Sequence, residues 1–400
     1  MNRKLSAVLT IVLLSTLVVT ACGGGGGAKG GPIKVGAIFD LTGPTSDVGT
    51  PYSEGVRDYV EWLNGKGGVE GRTIELIFQD YAYKVDQAEQ LYSQYVQEGV
   101  VAFMGWGTGD TEALRGRIAE DKIPFMSASY SANLAKIDEA PYNFLVGTTY
   151  SDQFIIVLQW ILDDWKAKGM SGNPKVVLFH HDSPFGLSPW EDGKAFGEPK
   201  GIEMMELAQP KGATDFTAEL TRIRDFGANY VVMQTVSSPA AMALKNAQSL
   251  GMTDEVQFIC LNWCADEILI NLAKDAAEGV IGAMPFTPPS VSVPGMKDAD
   301  EFLKGKGSSL QEKGLHYIQG WWTMAVMTEG IRKVVKDGKE VNGENIRAAL
   351  ESLQNFDTGG VTAPVSFSPT DHRGTKSLRL FKVENGQWVQ LTDYISVPGG

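Results

Sequence analysis

Residues 33–40 spell IKVGAIFD. This apolar run has little polar–apolar alternation, which is typical of a strand buried on both faces of a parallel sheet. Residues 52–63 follow with large apolar side chains at helical spacing, and Asn64-Gly65 ends the predicted helix. A second strand over residues 73–80 and a helix over residues 85–96 repeat the pattern. The stretch therefore opens a series of strand–helix units.

The series continues to residue 128 and restarts after residue 149, where strands alternate with helices as far as residue 261. Repeated units of this length predict an α/β fold, with helices covering both faces of parallel sheets. Two series predict two doubly wound lobes. Such sheets bind ligands beyond the carboxyl ends of their strands, so candidate site residues are expected there.

The first 21 residues are predicted to be a signal peptide. Arg3 and Lys4 precede an apolar stretch of about 15 residues, shorter than the roughly 20 that a membrane span needs. Val19-Thr20-Ala21-Cys22 resembles the bacterial lipobox, which implies that Cys22 carries a lipid and anchors the protein on the extracytoplasmic face of a membrane. A plain signal peptide is the alternative. Residues 22–32 are glycine-rich, as expected of a flexible tether.

Composition narrows the class of protein. The net charge of −13 argues against a nucleic-acid partner, because phosphate binding favours a basic surface. Cys260 and Cys264 are the two cysteines beyond the lipobox. In an extended chain their Cα atoms would lie about 13 Å apart, too far for a disulfide. We therefore expect free thiols, unless the chain turns at once after Leu261.

Several short motifs occur in an order similar to that of the type I periplasmic binding family, in its branched-chain amino-acid group. They are FDLTGP at 39–44, NGKGGVEGR at 64–72, Phe185-Gly186, DFT at 215–217 and AAEGV at 276–280. The similarity covers residues 33–395. It implies a binding protein rather than an enzyme, a monomer that delivers a small molecule to an ABC transporter permease.

The resemblance also implies three crossings between the lobes. We place them near Thr148, near Met284 and near residues 357–366. The expected first lobe is then 33–147 plus 285–357, and the second lobe is 148–284 plus 358–400.

The ligand's carboxylate is expected at the first lobe. The loop GWGTGD at 105–110 is not a dinucleotide motif, because its third glycine position holds Asp110. Backbone N–H groups at the following helix start suit a carboxylate instead. The family binds this group with hydroxyls in two loops, which implies Thr108 in one loop and Ser129, Tyr130 or Ser131 in the other.

The second lobe departs from the family pattern. Phe185 stands where a tyrosine is usual, Ser237 follows a strand that would be expected to end in an aromatic residue, and Trp263 occupies the region of the acid that pairs with a ligand ammonium. An unpaired ammonium in a closed cleft costs several kcal/mol. The acceptors that remain open are Asp182, Asp266 and Asp110.

An amino acid of the branched-chain type is therefore favoured as ligand. The alternatives are an aromatic or aliphatic carboxylate or a small amide without an ammonium, held between Trp106, Trp263 and Phe185, or a sensor role with a signalling partner. No histidine, cysteine or carboxylate set has metal-ligand spacing, and no nucleophile motif occurs. We expect no metal, no cofactor and no enzymatic activity.

Overall fold

The first of two β-sheets has five strands. The computed structural model describes residues 30–398. All neighbouring strands of this sheet are parallel, in the order β2-β1-β3-β4-β5. β1 is buried along almost its whole length, as its apolar run predicts. The strands are β1 (Ile33–Phe39), β2 (Ile74–Asp80), β3 (Ala102–Gly105), β4 (Phe125–Ser127) and β5 (Asn143–Phe144).

The second sheet has eight strands. Its parallel centre is extended by antiparallel strands from the end of the chain, in the order β12-β11-β10-β9-β8-β6-β7, with β13 paired to β11. The strands are β6 (Lys175–His181), β7 (Glu203–Gln209), β8 (Tyr230–Gln234), β9 (Gln257–Cys260), β10 (Ile281–Met284), β11 (Ser377–Glu384), β12 (Gln387–Gln390) and β13 (Ile395–Ser396).

Helices cover both sheets, so the structure confirms two α/β lobes. None of the helices within residues 30–398 has the length and apolar character of a membrane span. The helices are α1 (Ser46–Gly65), α2 (Val85–Gln97), α3 (Thr108–Asp121), α4 (Tyr150–Ala167), α5 (Pro184–Leu187), α6 (Trp190–Gly197), α7 (Thr217–Phe226), α8 (Ser237–Ser249), α9 (Glu267–Ala273), α10 (Lys297–Gly305), α11 (Leu310–Lys336) and α12 (Gly343–Glu351).

Helices α1 and α11 pack closely in the first lobe, although more than 240 residues separate their starts. A Cβ atom on Gly55 would lie 2.0 Å from the carbonyl oxygen of Tyr317, and one on Gly320 would lie 2.0 Å from that of Tyr52. Both glycines are therefore required by the close approach of the helices. This packing returns the late segment 297–351 to the first lobe.

Three connections between the lobes run side by side. Thr148 Oγ1 lies 2.9 Å from Thr375 Oγ1, and Arg379 at the start of β11 donates from Nη2 to Thr287 Oγ1. The third connection enters the second sheet at Ser377. We had expected this crossing earlier in the chain, near residues 357–366. Before Ser377 the chain pairs with the first lobe, since the Leu145 N–H donates to the His372 carbonyl at 3.0 Å. We propose 33–147 plus 285–375 as the first lobe.

Cys260 and Cys264 form a disulfide, so the expectation of free thiols was wrong. The chain does not stay extended after β9 but turns in a 3₁₀ segment at Asn262–Cys264. The turn brings the two Cα atoms to 5.4 Å, which lies within the range for a disulfide.

Candidate functional site

A small cavity lies between the lobes, at the carboxyl ends of their strands. The space inside its lining, open solvent at its mouth included, is about 250 Å³. It is bordered by residues that follow seven strands and by the start of α4: Thr45, Tyr83, Trp106, Gly107, Thr108, Ala128, Tyr150, Phe185, Val236 and Trp263.

Hydroxyl groups cluster at one part of this cavity, at the start of α3. Thr108 is the first residue of α3, and its Oγ1 lies 2.6 Å from Ser129 Oγ. Tyr150 OH borders the same part of the cavity, where it accepts a bond from Trp263 Nε1 at 2.8 Å and lies 3.5 Å from the Ala128 carbonyl. The helix start also presents backbone N–H groups and the positive end of the helix dipole. The arrangement can bind a carboxylate.

The rest of the wall is mainly aromatic. Trp106, Trp263, Tyr83 and Phe185 supply four rings besides Tyr150. Trp106 Nε1 donates to Thr45 Oγ1 at 2.9 Å, so the N–H groups of both tryptophans are already bonded inside the protein. The rings therefore contribute apolar edges and π faces rather than hydrogen bonds.

Trp263 reaches from the second lobe into the first. Its ring stacks on Tyr130 with centroids 6.0 Å apart and on His316 at 4.9 Å, and it meets Trp106 edge-on at 5.0 Å. Tyr130, His316 and Trp106 all belong to the first lobe. The side chain is 3% exposed, so the contact between the lobes excludes water at this point.

A buried polar cluster joins the lobes beside Trp263. His316 Nε2 lies 2.8 Å from Asp266 Oδ2, and Gln319 Nε2 donates to Asn262 Oδ1 at 2.7 Å. Burial by itself would lower the pKa of His316, but the hydrogen bond and charge of Asp266 outweigh it and raise that pKa. The protonated imidazolium is therefore favoured next to the carboxylate.

Glu267 belongs to the same cluster. Its Oε2 accepts a hydrogen bond from the Leu315 N–H at 2.8 Å, again across the lobes. Burial, and then the negative charge of Asp266, raise the pKa of the Glu267 carboxyl to about 7. This group is thus partly protonated near neutral pH.

None of the three candidate acids borders the cavity. Asp182, predicted as a ligand residue, has a side chain 52% exposed and pairs with Lys211 at 3.7 Å. Asp266 is occupied by His316 and by Ser237 Oγ at 2.6 Å. Asp110 accepts from Tyr81 OH at 2.9 Å, and burial raises its pKa to about 6. Within residues 30–398, no carboxylate lines the cavity.

The structure separates the other predicted site residues into two groups. Four of them border the cavity directly: Trp106, Thr108, Phe185 and Trp263. Ser129 lies next to Thr108, with which it shares a hydrogen bond. The other three are buried behind the wall: Tyr130 packs on Trp263, Ser131 Oγ donates to Glu112 at 2.7 Å, and Ser237 bonds Asp266.

Sequence reasoning missed three side chains of the wall that carry polar groups. Thr45 lies in the loop after β1, so the strand-end rule could have found it. Tyr83 follows β2 and reaches the cavity because the chain turns there. Both Ala82, with φ 51°, and Tyr83 itself, with φ 59°, have left-handed backbone conformations. Such conformations favour glycine or asparagine, so no sequence signal marks this turn. Tyr150 begins the helix after the first crossing.

The described residues contain no group of three or more histidine, cysteine or acidic side chains placed to hold a metal ion. The site combines a hydroxyl cluster at a helix start, an aromatic wall and a polar cluster that joins the two lobes.

Comparison with known proteins identifies the class. The family model described as "Periplasmic binding protein" matches residues 32–387. The chain belongs to this family and has its type I fold, as the motifs predicted. It is 22% identical over 79% of its length to the leucine-, isoleucine-, valine-, threonine- and alanine-binding protein of Pseudomonas aeruginosa, of which it covers 82%.

Solved structures of similar proteins have the same fold. A branched-chain amino-acid ABC transporter protein of Thermus thermophilus with bound valine is 28% identical, with a TM-score of 0.85 and coverage of 92% of this chain and 97% of that one. An ABC transporter substrate-binding protein of Aeropyrum pernix is 29% identical, with a TM-score of 0.82 and coverage of 92% and 97%. A fatty-acid substrate-binding protein of Thermomonospora curvata, at 23% identity, a TM-score of 0.81 and coverage of 92% and 94%, shares the fold.

Proposed function

We propose that this chain is the extracytoplasmic substrate-binding component of an ABC importer, which holds a small carboxylate-bearing molecule between its lobes and delivers it to a membrane permease. The observation that carries the proposal is the hydroxyl cluster of Thr108, Ser129 and Tyr150 at the start of α3. The relatives that bind branched-chain amino acids support the same role.

Two ligand classes fit this role. An amino acid agrees with the names of the relatives, but its ammonium would find no carboxylate in the cavity wall within residues 30–398. A carboxylate with an apolar body needs no such partner and fits the aromatic wall. Both classes place their carboxylate on Thr108.

A thermal-shift screen tests the proposal. Valine, leucine, isoleucine, alanine and phenylalanine would be compared with their deaminated acids. A ligand at 100 times its Kd stabilises the folded state by about 2.7 kcal/mol. We expect at least one carboxylate to raise the unfolding temperature, and stabilisation by none of them would contradict the proposal.

The variant Thr108→Val is expected to weaken binding of that carboxylate roughly 10- to 100-fold, because a hydrogen bond to a charged group contributes about 1.5–3 kcal/mol. Thr111→Val is the matched control. Thr111 lies in the same helix and is buried, but its hydroxyl bonds to the Gly107 carbonyl and Ser127. Equal losses in both variants would show a general structural effect instead.

We further propose that the mature chain acts as a monomer in the cell envelope, anchored through a lipid on Cys22. Cys22 and the tether up to Lys29 lie outside the described residues, so the support is the lipobox sequence alone. Fatty-acid labelling in a bacterial host should mark the wild type and not Cys22→Ser. Equal labelling of both would refute the anchor.

A further inference from the structure

The aromatic wall has the form of a cage. The rings of Trp106 and Trp263 meet at 63° with centroids 5.0 Å apart, and those of Tyr150 and Phe185 meet at 65° with centroids 5.4 Å apart. The rings of each pair therefore face in different directions around one small space. Aromatic cages of this kind recognise quaternary ammonium groups, which the negative faces of the rings attract.

The wall offers little to a primary ammonium. A –NH₃⁺ group has three N–H donors that need acceptors. Within residues 30–398 no carboxylate borders the cavity, and Thr45 Oγ1 already accepts from Trp106 Nε1 and donates to Asp40. The carbonyl oxygens of Gly107 and Phe185 are bonded to Thr111 and Gln234. A quaternary ammonium carries no N–H group, so it leaves no donor unpaired.

Charged groups of both signs lie near the cavity, since the His316 imidazolium stacks on Trp263 and the Asp110 carboxyl lies behind Gly107. No lysine or arginine of the described chain is among the residues that line the cavity. Asp110 lies directly behind Gly107, since a Cβ atom on that glycine would meet Asp110 Oδ1. The second carboxyl oxygen of Asp110 is buried and has no hydrogen-bond partner among the described residues. A positive charge in the cavity would stabilise this buried carboxylate through space.

We propose that the ligand is a small betaine, a zwitterion whose carboxylate binds the hydroxyl cluster at Thr108 and whose quaternary ammonium lies against the rings of Trp106, Trp263, Tyr83 and Phe185. The inference rests on the proposed carboxylate-binding function. It goes further by assigning the charge and substitution of the ligand's other end.

Titration calorimetry on the full chain, without its signal peptide, tests the charge directly. Glycine betaine and 3,3-dimethylbutanoate have the same shape, because the latter replaces the quaternary nitrogen by carbon. Valine supplies a primary ammonium. We expect glycine betaine to bind at least tenfold more tightly than either compound, a difference of about 1.4 kcal/mol.

Phe185→Leu tests the cage, since Phe185 contributes a ring with no polar atom. The variant should lose most of the preference for glycine betaine over 3,3-dimethylbutanoate while still binding the latter. Its thermal unfolding, measured in parallel, controls for loss of fold.

Each other outcome overturns a defined part of the proposal. Equal or tighter binding of 3,3-dimethylbutanoate would refute the cation site and leave the carboxylate-binding function standing. Tighter binding of valine would show that a primary ammonium is accommodated. Binding of no carboxylate at all would refute the proposed function as well.

Discussion

At the scale of single residues, the bridge between Cys260 and Cys264 shapes the loop that follows β9. Spacing showed that a bridge between Cys260 and Cys264 needs an immediate turn, but it could not show whether the turn forms. The structure turns at Asn262–Cys264, and the resulting bridge encloses the residue that crosses to the other lobe, Trp263. The disulfide thus restrains the loop that presents this ring.

The candidate site was predictable where a side chain follows a strand directly. Trp106 and Trp263 lie in loops that follow strands, Thr108 was implied by the family resemblance, and all three border the cavity. Asp182 also follows a strand, but its side chain turns outward to Lys211. Strand ends identify the loops of a site, whereas the direction of each side chain depends on turn geometry that the sequence does not show.

At the scale of elements, α9 and α11 are coupled across the lobes. Helix α11 is interrupted at Gly314, where φ is 77° and ψ is −176°. The Leu315 N–H that begins the second part donates to Glu267 Oε2, in the first residue of α9. A carboxylate from one lobe therefore caps a helix of the other.

The burial of Glu267, together with the nearby charge of Asp266, predicts a dependence of stability on pH. The pKa of Glu267 is raised to about 7 in the folded protein, against about 4.3 in an unfolded chain. The folded state thus binds more protons between these values. The contribution of Glu267 to the free energy of unfolding is therefore complete below about pH 4.3 and is lost as the pH rises through 7. The raised pKa of His316 acts in the same direction.

Glu267→Gln should flatten the fall in unfolding temperature between about pH 5 and pH 8, because the amide keeps an acceptor for the Leu315 N–H but does not titrate. Part of the slope should remain, since burial also raises the pKa of Asp110 to about 6. Glu255→Gln, at an exposed position, is the control. Identical pH profiles for wild type and Glu267→Gln would contradict this account.

At the scale of the whole molecule, the alternation of strands and helices was sufficient to predict two parallel-sheet lobes. It could not locate the third crossing. Residues 358–374 contain no strand of either sheet, and they pair with the first lobe through isolated contacts such as Phe367 on Phe144. A segment without regular periodicity gives no signal of which lobe it contacts.

The contacts between the lobes lead to a prediction about closure. Trp263 on Tyr130, His316 with Asp266, and the Ser238 N–H on Asp47 Oδ2 at 2.8 Å all join the lobes around the cavity. Lobes that hinge apart would lose all three contacts. Trp263 buries the largest side chain among them, so its removal should shift the population towards open molecules.

X-ray scattering measures this shift as the radius of gyration. Ligand should reduce the radius of gyration of the wild type. It should reduce that of Trp263→Ala by a smaller amount, because the variant lacks the apolar contact that stabilises the closed form. Trp165→Ala is a matched control, since Trp165 contacts Gly172 and Tyr230 within the second lobe. If Trp263→Ala contracts as much as the wild type at saturating ligand, Trp263 does not hold the lobes together, and closure depends on the polar cluster and the ligand instead.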